Sequence, residues 1–243
     1  MRRVDAPEIL DSDSCSHADV AISMLDLGRV NRWFGGVLTT QKMVERVARV
    51  TGANQISLLE VAAGSGEVPE LVKRRLALRG IRLDITLLDR AQSHLPLKHV
   101  TNGTRDSETN GLVGDALAMP FRDGAFDLVS CNLFAHHLDS QGLSHFAREA
   151  LRVSRKAFLI NDLVRHPFHL GLAYTSRPLM RSRVAWLDGV TSVRRAYVPG
   201  EIRELLVSAA PGVQVEISRN YLFRMGVIAW KEEVELSQAA GSK

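Results

Sequence analysis

A chain of 243 residues with 45% hydrophobic and 24% charged side chains has the make-up of a globular protein with one sizeable core. No apolar run approaches the roughly 20 residues of a membrane span, and Met1-Arg2-Arg3 leads into the acidic, polar "VDAPEILDSDSCSHAD" instead of an apolar leader, so a single-domain cytoplasmic protein is expected. Cys15 and Cys131 are far apart with no CxxC neighbour, which argues against a thiolate zinc site and a disulfide framework, and a net charge of +4 is too diffuse to indicate nucleic-acid binding.

In chain order, residues 1–21 are polar and read as a flexible tail. "MLDLGRVNRWFGGVLTTQKMVERVARVTG" then carries apolar residues at helical spacing, with Gly35-Gly36 as a break, Thr39 or Thr40 as a cap and Gly52 as a stop; residues 22–54 form an N-terminal helical unit. From there strands and helices alternate. Strands are predicted near 57–61, 83–88, 112–114, 126–131 and 157–163, and helices near 67–79, 91–98 and 141–153. A polar loop, "TNGTRDSETNG", precedes the third strand, and 166–187 reads as helix. "VQVEISRN" and "YLFRMGVIAW" close the series as a β-rich antiparallel pair. The economical architecture is a Rossmann-like α/β fold, a doubly wound seven-stranded sheet that is mostly parallel, because each parallel step needs a right-handed crossover.

Open sheets of this kind bind ligands outside the carboxyl ends of their strands, so strand-terminal polar residues are the informative ones. Glu60 closes the first strand, Asp89 the second, Asp115 follows the third, and Asn132, His136 and His137 follow the fourth. Asp162 stands near the end of the fifth.

The turn after the first strand, "SLLEVAAGSGEVPEL", is a small-residue loop feeding a helix. Read as GxGxxG, it puts Pro69 where the third glycine of a dinucleotide fingerprint belongs, and no GK[ST] follows to make a P-loop. An adenosine ligand carrying an amino acid makes other demands: a close backbone turn, an acid for the ribose hydroxyls and a polar contact for adenine. Asp89 lies 23 residues beyond Gly66 and is placed to accept from a ribose diol, and Asp115 to accept from an adenine amino group.

With these residues in this order the chain resembles the class I S-adenosylmethionine-dependent methyltransferases. The resemblance runs from Leu58 to Leu163 through "LLEVAAGSGEVPEL", "ITLLDRA", "GDALAMPFRDGAFDLVSCNLFAHHL" and "ALRVSRKAFLINDL". It implies a methyltransferase domain over 55–235, a short tail at 236–243, and S-adenosyl-L-methionine held by Glu60, Ala62, Gly64, Gly66, Asp89, Arg90, Asp115, Ala116 and Asn132. Two departures stand out: Ala62 where the family commonly has Gly, and Ser154-Arg155-Lys156 where it often has a Gly-Gly turn.

The sulfonium is already an activated donor, so the protein's task is alignment in a water-poor pocket, with a base where a phenol or enol must lose a proton. Candidate bases are His136, His137 and His166; candidate acceptor contacts are Asp162, Arg165, Trp33 and Phe34, the last two in a unit that covers the site in related enzymes. Asp162 and His166, four apart, would share a face if that segment were helical. The layout is similar to methyltransferases of ubiquinone, menaquinone and aromatic polyketide biosynthesis, implying transfer to oxygen or carbon of a small aromatic, quinone-like or polyketide-like molecule. Arg177, Arg181, Arg183, Arg194 and Arg195 form either a solvated face or a landing place for an anionic or carrier-bound acceptor. No metal ligand set and no nucleic-acid partner are expected. The alternatives are an NAD(P)-dependent oxidoreductase and a ligand-binding protein without turnover.

Overall fold

The computed structural model describes residues 1–11, 15–92, 95 and 110–231. Seven strands, β1 (Gln55–Val61), β2 (Arg82–Asp89), β3 (Asn110–Val113), β4 (Phe126–Asn132), β5 (Ser154–Leu163), β6 (Gln214–Asn220) and β7 (Arg224–Trp230), form one sheet in the order β3-β2-β1-β4-β5-β7-β6. The first five run parallel; β7 enters antiparallel to both β5 and β6. The order reverses between β1 and β4, as a doubly wound sheet requires.

Period-two alternation explains how both faces are covered. On β1, Leu59 and Val61 join a core built with Leu143, Phe146, Ile202 and Leu206. Its alternate residues Ile56 and Leu58 join a second core with Val44, Val47, Val72 and Leu76. The helices supplying these side chains are α2 (Gly36–Thr51) and α3 (Glu67–Ala77) on one face, and α4 (Ser140–Val153) and α7 (Pro199–Ala209) on the other. The remaining helices are α1 (His17–Trp33), α5 (Pro167–Thr175) and α6 (Arg183–Arg195), of which α5 directly follows the carboxyl end of β5.

Several sequence expectations are corrected. Thr39 and Thr40 do not cap α2: Gly35 does, at φ +79°, and both threonines lie buried one turn inside. The helix expected over 166–187 is two helices, because Pro178 sits in a 3-10 turn at Arg177–Leu179 and Ser182 then caps α6 through the Ala185 amide. Helix α7, begun by Pro199 and closed on the Val198 amide by Glu201, was not anticipated.

The N-terminal residues are not a loose tail either. Arg3 donates to the carbonyls of Arg195, His136 and Leu138, the amides of Ile9 and Leu10 donate to Asp188, and Glu8 is 8% exposed. Their polarity is spent on partners in the fold, which composition does not reveal. The helix expected over 91–98, the loop at 101–111 and the tail at 236–243 fall wholly or mainly outside the described residues.

Candidate active site at the carboxyl ends of the strands

The loop between β1 and α3 is built from left-handed residues: Ala62 at φ +52°, Gly64 at +52° and Gly66 at +68°. Gly66 is required where it stands, since a Cβ there would lie 2.5 Å from Leu87 Cδ1. At Gly64 a Cβ would meet nothing within 4 Å, which leaves the loop's outer side as a cradle for a ligand. Asp89, 8% exposed, locks the cradle in place by accepting from the Gly64 amide at 2.8 Å and the Ala91 amide at 2.9 Å. The open backbone turn and the acid at the end of β2 have the chemistry that an adenosine ligand approaching the loop closely would require. Pro69 sits in the first turn of α3, where its missing N–H costs nothing.

Behind the loop lies a buried polar ladder. Glu60, 1% exposed, accepts from Ser130 Oγ and, at 2.6 Å, from Asn132 Nδ2. Asn132 Oδ1 in turn accepts from Thr40 Oγ1 at 2.9 Å and Asn161 Nδ2 at 2.6 Å. Arg224, 1% exposed, continues the ladder to Asn161 Oδ1 and Asn31 Oδ1 at 3.2 and 3.1 Å. Desolvation raises the Glu60 carboxyl to about 7 against the lowering effect of Ser130 and Asn132, and it lowers the Arg224 guanidinium to about 10. Ser130, Asn161 and Arg224 were missed from sequence: each sits in an apolar strand pattern, and their only signal is a polar residue facing the core.

The two adjacent histidines occupy a 3-10 turn, Ala135–His137, and have different fates. His136 is 2% exposed, with Nδ1 2.7 Å from Asp162 Oδ1 and Nε2 3.3 Å from Glu8 Oε1. Desolvation lowers its pKa, but Asp162 and Glu8 outweigh that and lift it to about 9. Held protonated between two carboxylates, it is unsuited to be a base at neutral pH, which corrects that expectation. His137 is more open at 22%, with Nε2 3.6 Å from Glu8 Oε2 and its ring stacked on Phe134.

Other assignments also change. Asp162 is in β5, not helix, and is 1% exposed; it accepts from His136 and from the Leu163 amide instead of facing an acceptor. It shares no helical face with His166, which caps α5 by accepting from the Phe168 amide and stacks on Phe223. Arg165 is 7% exposed, and its three nitrogens donate to Met1 O, Ala196 O and Glu201 Oε1, a structural tie in place of the expected acceptor contact. In the arginine group, Arg195 is buried and donates to the His137 carbonyl, whereas Arg181, Arg183 and Arg194 are exposed. Arg90 and Asp115 are exposed, Ala116 is partly buried, and Asp115 accepts from the Leu117 amide.

Trp33 is 62% exposed at the end of α1 with the Arg29 guanidinium over its ring, and Phe34 is half-buried. Across the same end of the sheet, α5 buries none of its residues and exposes Phe168, Leu172 and Tyr174. No helix among the described residues is long and apolar enough to cross a membrane.

Residues 59–158 match the family described as "Methyltransferase domain". No curated protein matches the chain. Among solved structures, the plantazolicin methyltransferase BpumL in complex with SAH is similar at a TM-score of 0.66 and 14% identity, covering 92% of each chain. A SAM-dependent methyltransferase from Aquifex aeolicus gives 0.55 at 14%, covering 87% of this chain and 97% of that one. Human N-acetylserotonin methyltransferase in complex with SAM gives 0.58 at 15%, covering 86% and 54% respectively. These likenesses establish the fold, and the family match covers the glycine loop, Asp89, Asn132 and the histidine pair. Residues 59–158 thus match a methyltransferase domain, set in a sheet that shares the fold of S-adenosylmethionine-dependent methyltransferases.

Proposed function

We propose that the enzyme methylates oxygen or carbon of an aromatic, quinone-like or polyketide-like small molecule. The observation that carries this reading is the set of exposed aromatics on segments at the carboxyl end of the sheet: Trp33, Phe168, Tyr174 and Tyr221 are 62%, 62%, 51% and 56% exposed. Large exposed aromatics grouped at a ligand-binding edge suit a flat apolar acceptor. S-adenosyl-L-methionine supplies an electrophilic methyl group when bound. Gly64, Gly66 and Ala62 present their backbone to it, Asp89 and Asp115 supply acceptors for its ribose and adenine, and Glu60 stands nearest the loop as the acid for its ammonium.

The protein's own contribution is alignment and exclusion of water, with α5 and the end of α1 as the walls of the acceptor site. Of the three histidines only His137 combines partial exposure with a place directly after β4. The exposed arginines Arg181 and Arg183 beside α5 suit an anionic or carrier-bound acceptor.

The test is calorimetric titration with S-adenosylhomocysteine and NADH, followed by methyl transfer to a panel of alkylated phenols and hydroxyquinones. Micromolar binding of the first ligand, weakened about 10- to 100-fold in Asp89→Ala by the loss of charge-assisted hydrogen bonds, and turnover of at least one phenol are expected. Binding of NADH alone would favour an oxidoreductase; binding without turnover across the panel would favour a non-catalytic role.

A further inference from the structure

Among the described residues, metal-competent side chains meet where the N-terminal segment crosses the loop after β4. Glu8 arrives from 128 residues away along the chain and places its carboxylate against both imidazoles, with His136 Nε2 3.3 Å from Oε1 and His137 Nε2 3.6 Å from Oε2. One ligand atom from each of the three residues lies within 4.8 Å of the others. With zinc bonds to imidazole nitrogen and carboxylate oxygen of about 2.0–2.1 Å, neighbouring ligands of a tetrahedral site stand about 3.3 Å apart, and small side-chain adjustments would bring the three groups to that spacing from their present separation within 4.8 Å.

The surroundings orient the same three groups. Asp162 meets His136 Nδ1 at 2.7 Å and fixes the ring with Nε2 facing Glu8, the carboxylate–histidine arrangement that supports a ligating imidazole once a cation takes the place of the Nε2 proton. Ser192 Oγ donates to Glu8 Oε1 at 2.7 Å, and Phe134 stacks on His137. The backbone of the turn is fixed by Arg3, bound to the His136 carbonyl, and by Arg195, bound to that of His137.

We propose that Glu8, His136 and His137 form a site for a divalent cation of the zinc type, which fastens the N-terminal segment to the turn that follows β4. Two imidazoles and one carboxylate are a donor set for zinc in preference to calcium or magnesium, which take oxygen ligands. The site is independent of the methyl donor: none of its three ligands belongs to the glycine loop or to Asp89.

The experiment uses the full chain freed of any histidine tag and stripped by chelator, then titrated calorimetrically with zinc chloride and analysed for bound metal after gel filtration. The expected result is one zinc per chain at micromolar affinity or tighter, with thermal stabilisation that excess chelator reverses. Glu8→Gln keeps the shape and removes the charge; it and His137→Ala should each weaken zinc at least tenfold, while His145→Ala, an exposed histidine on α4, leaves it unchanged. Circular dichroism and S-adenosylhomocysteine titration of each variant report whether it is folded. Absence of stoichiometric zinc on the folded wild-type chain, or equal affinity in wild type, Glu8→Gln and His137→Ala, overturns the proposal. Failure of the wild-type chain to bind S-adenosylhomocysteine while it binds zinc would count against the methyl-donor assignment and leave the zinc site standing.

Discussion

At Ala62 one methyl group sits where the backbone turns left-handed, φ +52°, at the start of the ligand loop. An L-residue pays roughly 1–2 kcal/mol for that conformation, part of which a glycine returns by loosening the unfolded chain. Ala62→Gly is therefore expected to raise stability by up to about 1 kcal/mol in urea titration, with S-adenosylhomocysteine affinity kept or improved. A loss of stability would mean that the methyl packs usefully and that the strain reading is wrong. Glu60 makes the opposite bargain. Its carboxyl is raised from 4.5 to about 7 by burial, so between those values the folded state holds a proton that the unfolded state has released. Stability should fall as pH rises through that window, and the cost, on the order of 3 kcal/mol, is fully present above pH 7. Glu60→Gln removes it: the variant's melting temperature should gain on the wild type at pH 8 and show little gain at pH 4, while its affinity for a ligand ammonium falls. Equal gains at both pH values would rule out the titration of Glu60 as the cause.

Among the elements, α5 is the anomaly, a helix of largely apolar sequence that buries nothing. Replacing Phe168 and Tyr174 together by serine should leave urea stability within about 0.5 kcal/mol, because neither side chain is in the core. KM for an apolar aromatic acceptor should rise several-fold in steady-state assays, and an unchanged KM would remove α5 from the acceptor site. The tie between elements at Arg165 behaves differently. Its guanidinium joins the end of β5 to the residue before α7 through Ala196, to α7 itself through Glu201 and to the chain start through Met1. Arg165→Ala should cost about 2–3 kcal/mol on chemical denaturation, since it strands buried carbonyl acceptors; a loss below about 0.5 kcal/mol would return Arg165 to the list of substrate contacts. These two segments also show where sequence reading thins out. Helix α5 was legible as helix, but its exposure was not, because apolar composition is the usual mark of burial. Arg165 looked like a cleft residue by its place after β5, and only the packing of α7 and the N-terminal segment shows its nitrogens already taken.

For the molecule as a whole, the N-terminal segment is the part whose role composition disguised. Residues 1–11 contribute Arg3 to three carbonyls, Glu8 to the histidine pair and two amides to Asp188. Deleting residues 2–11 should lower stability by about 3 kcal/mol or more in the absence of added metal, by uncovering His136 and Asp162; an unchanged urea midpoint would show the segment to be dispensable. The sheet, by contrast, was readable from sequence alone. Its strands alternate with amphipathic helices, its switch point follows from the chain order, and Glu60 and Asp89 stand near strand ends because local pattern dictates strand length and strand ends dictate position. Sequence by itself therefore determined the α/β class, the small-residue turn after β1 and the place of Asp89 at the end of β2, all of which depend on residues close together in the chain. Only the tertiary structure decided the partners of Glu60, the burial of His136 and Asp162, and the meeting of Glu8 with the histidine pair. Those contacts join residues 70 or more positions apart, except for His136 with Asp162 at 26, and they rest on which face of each strand and helix meets the other. That is settled by packing the whole core at once.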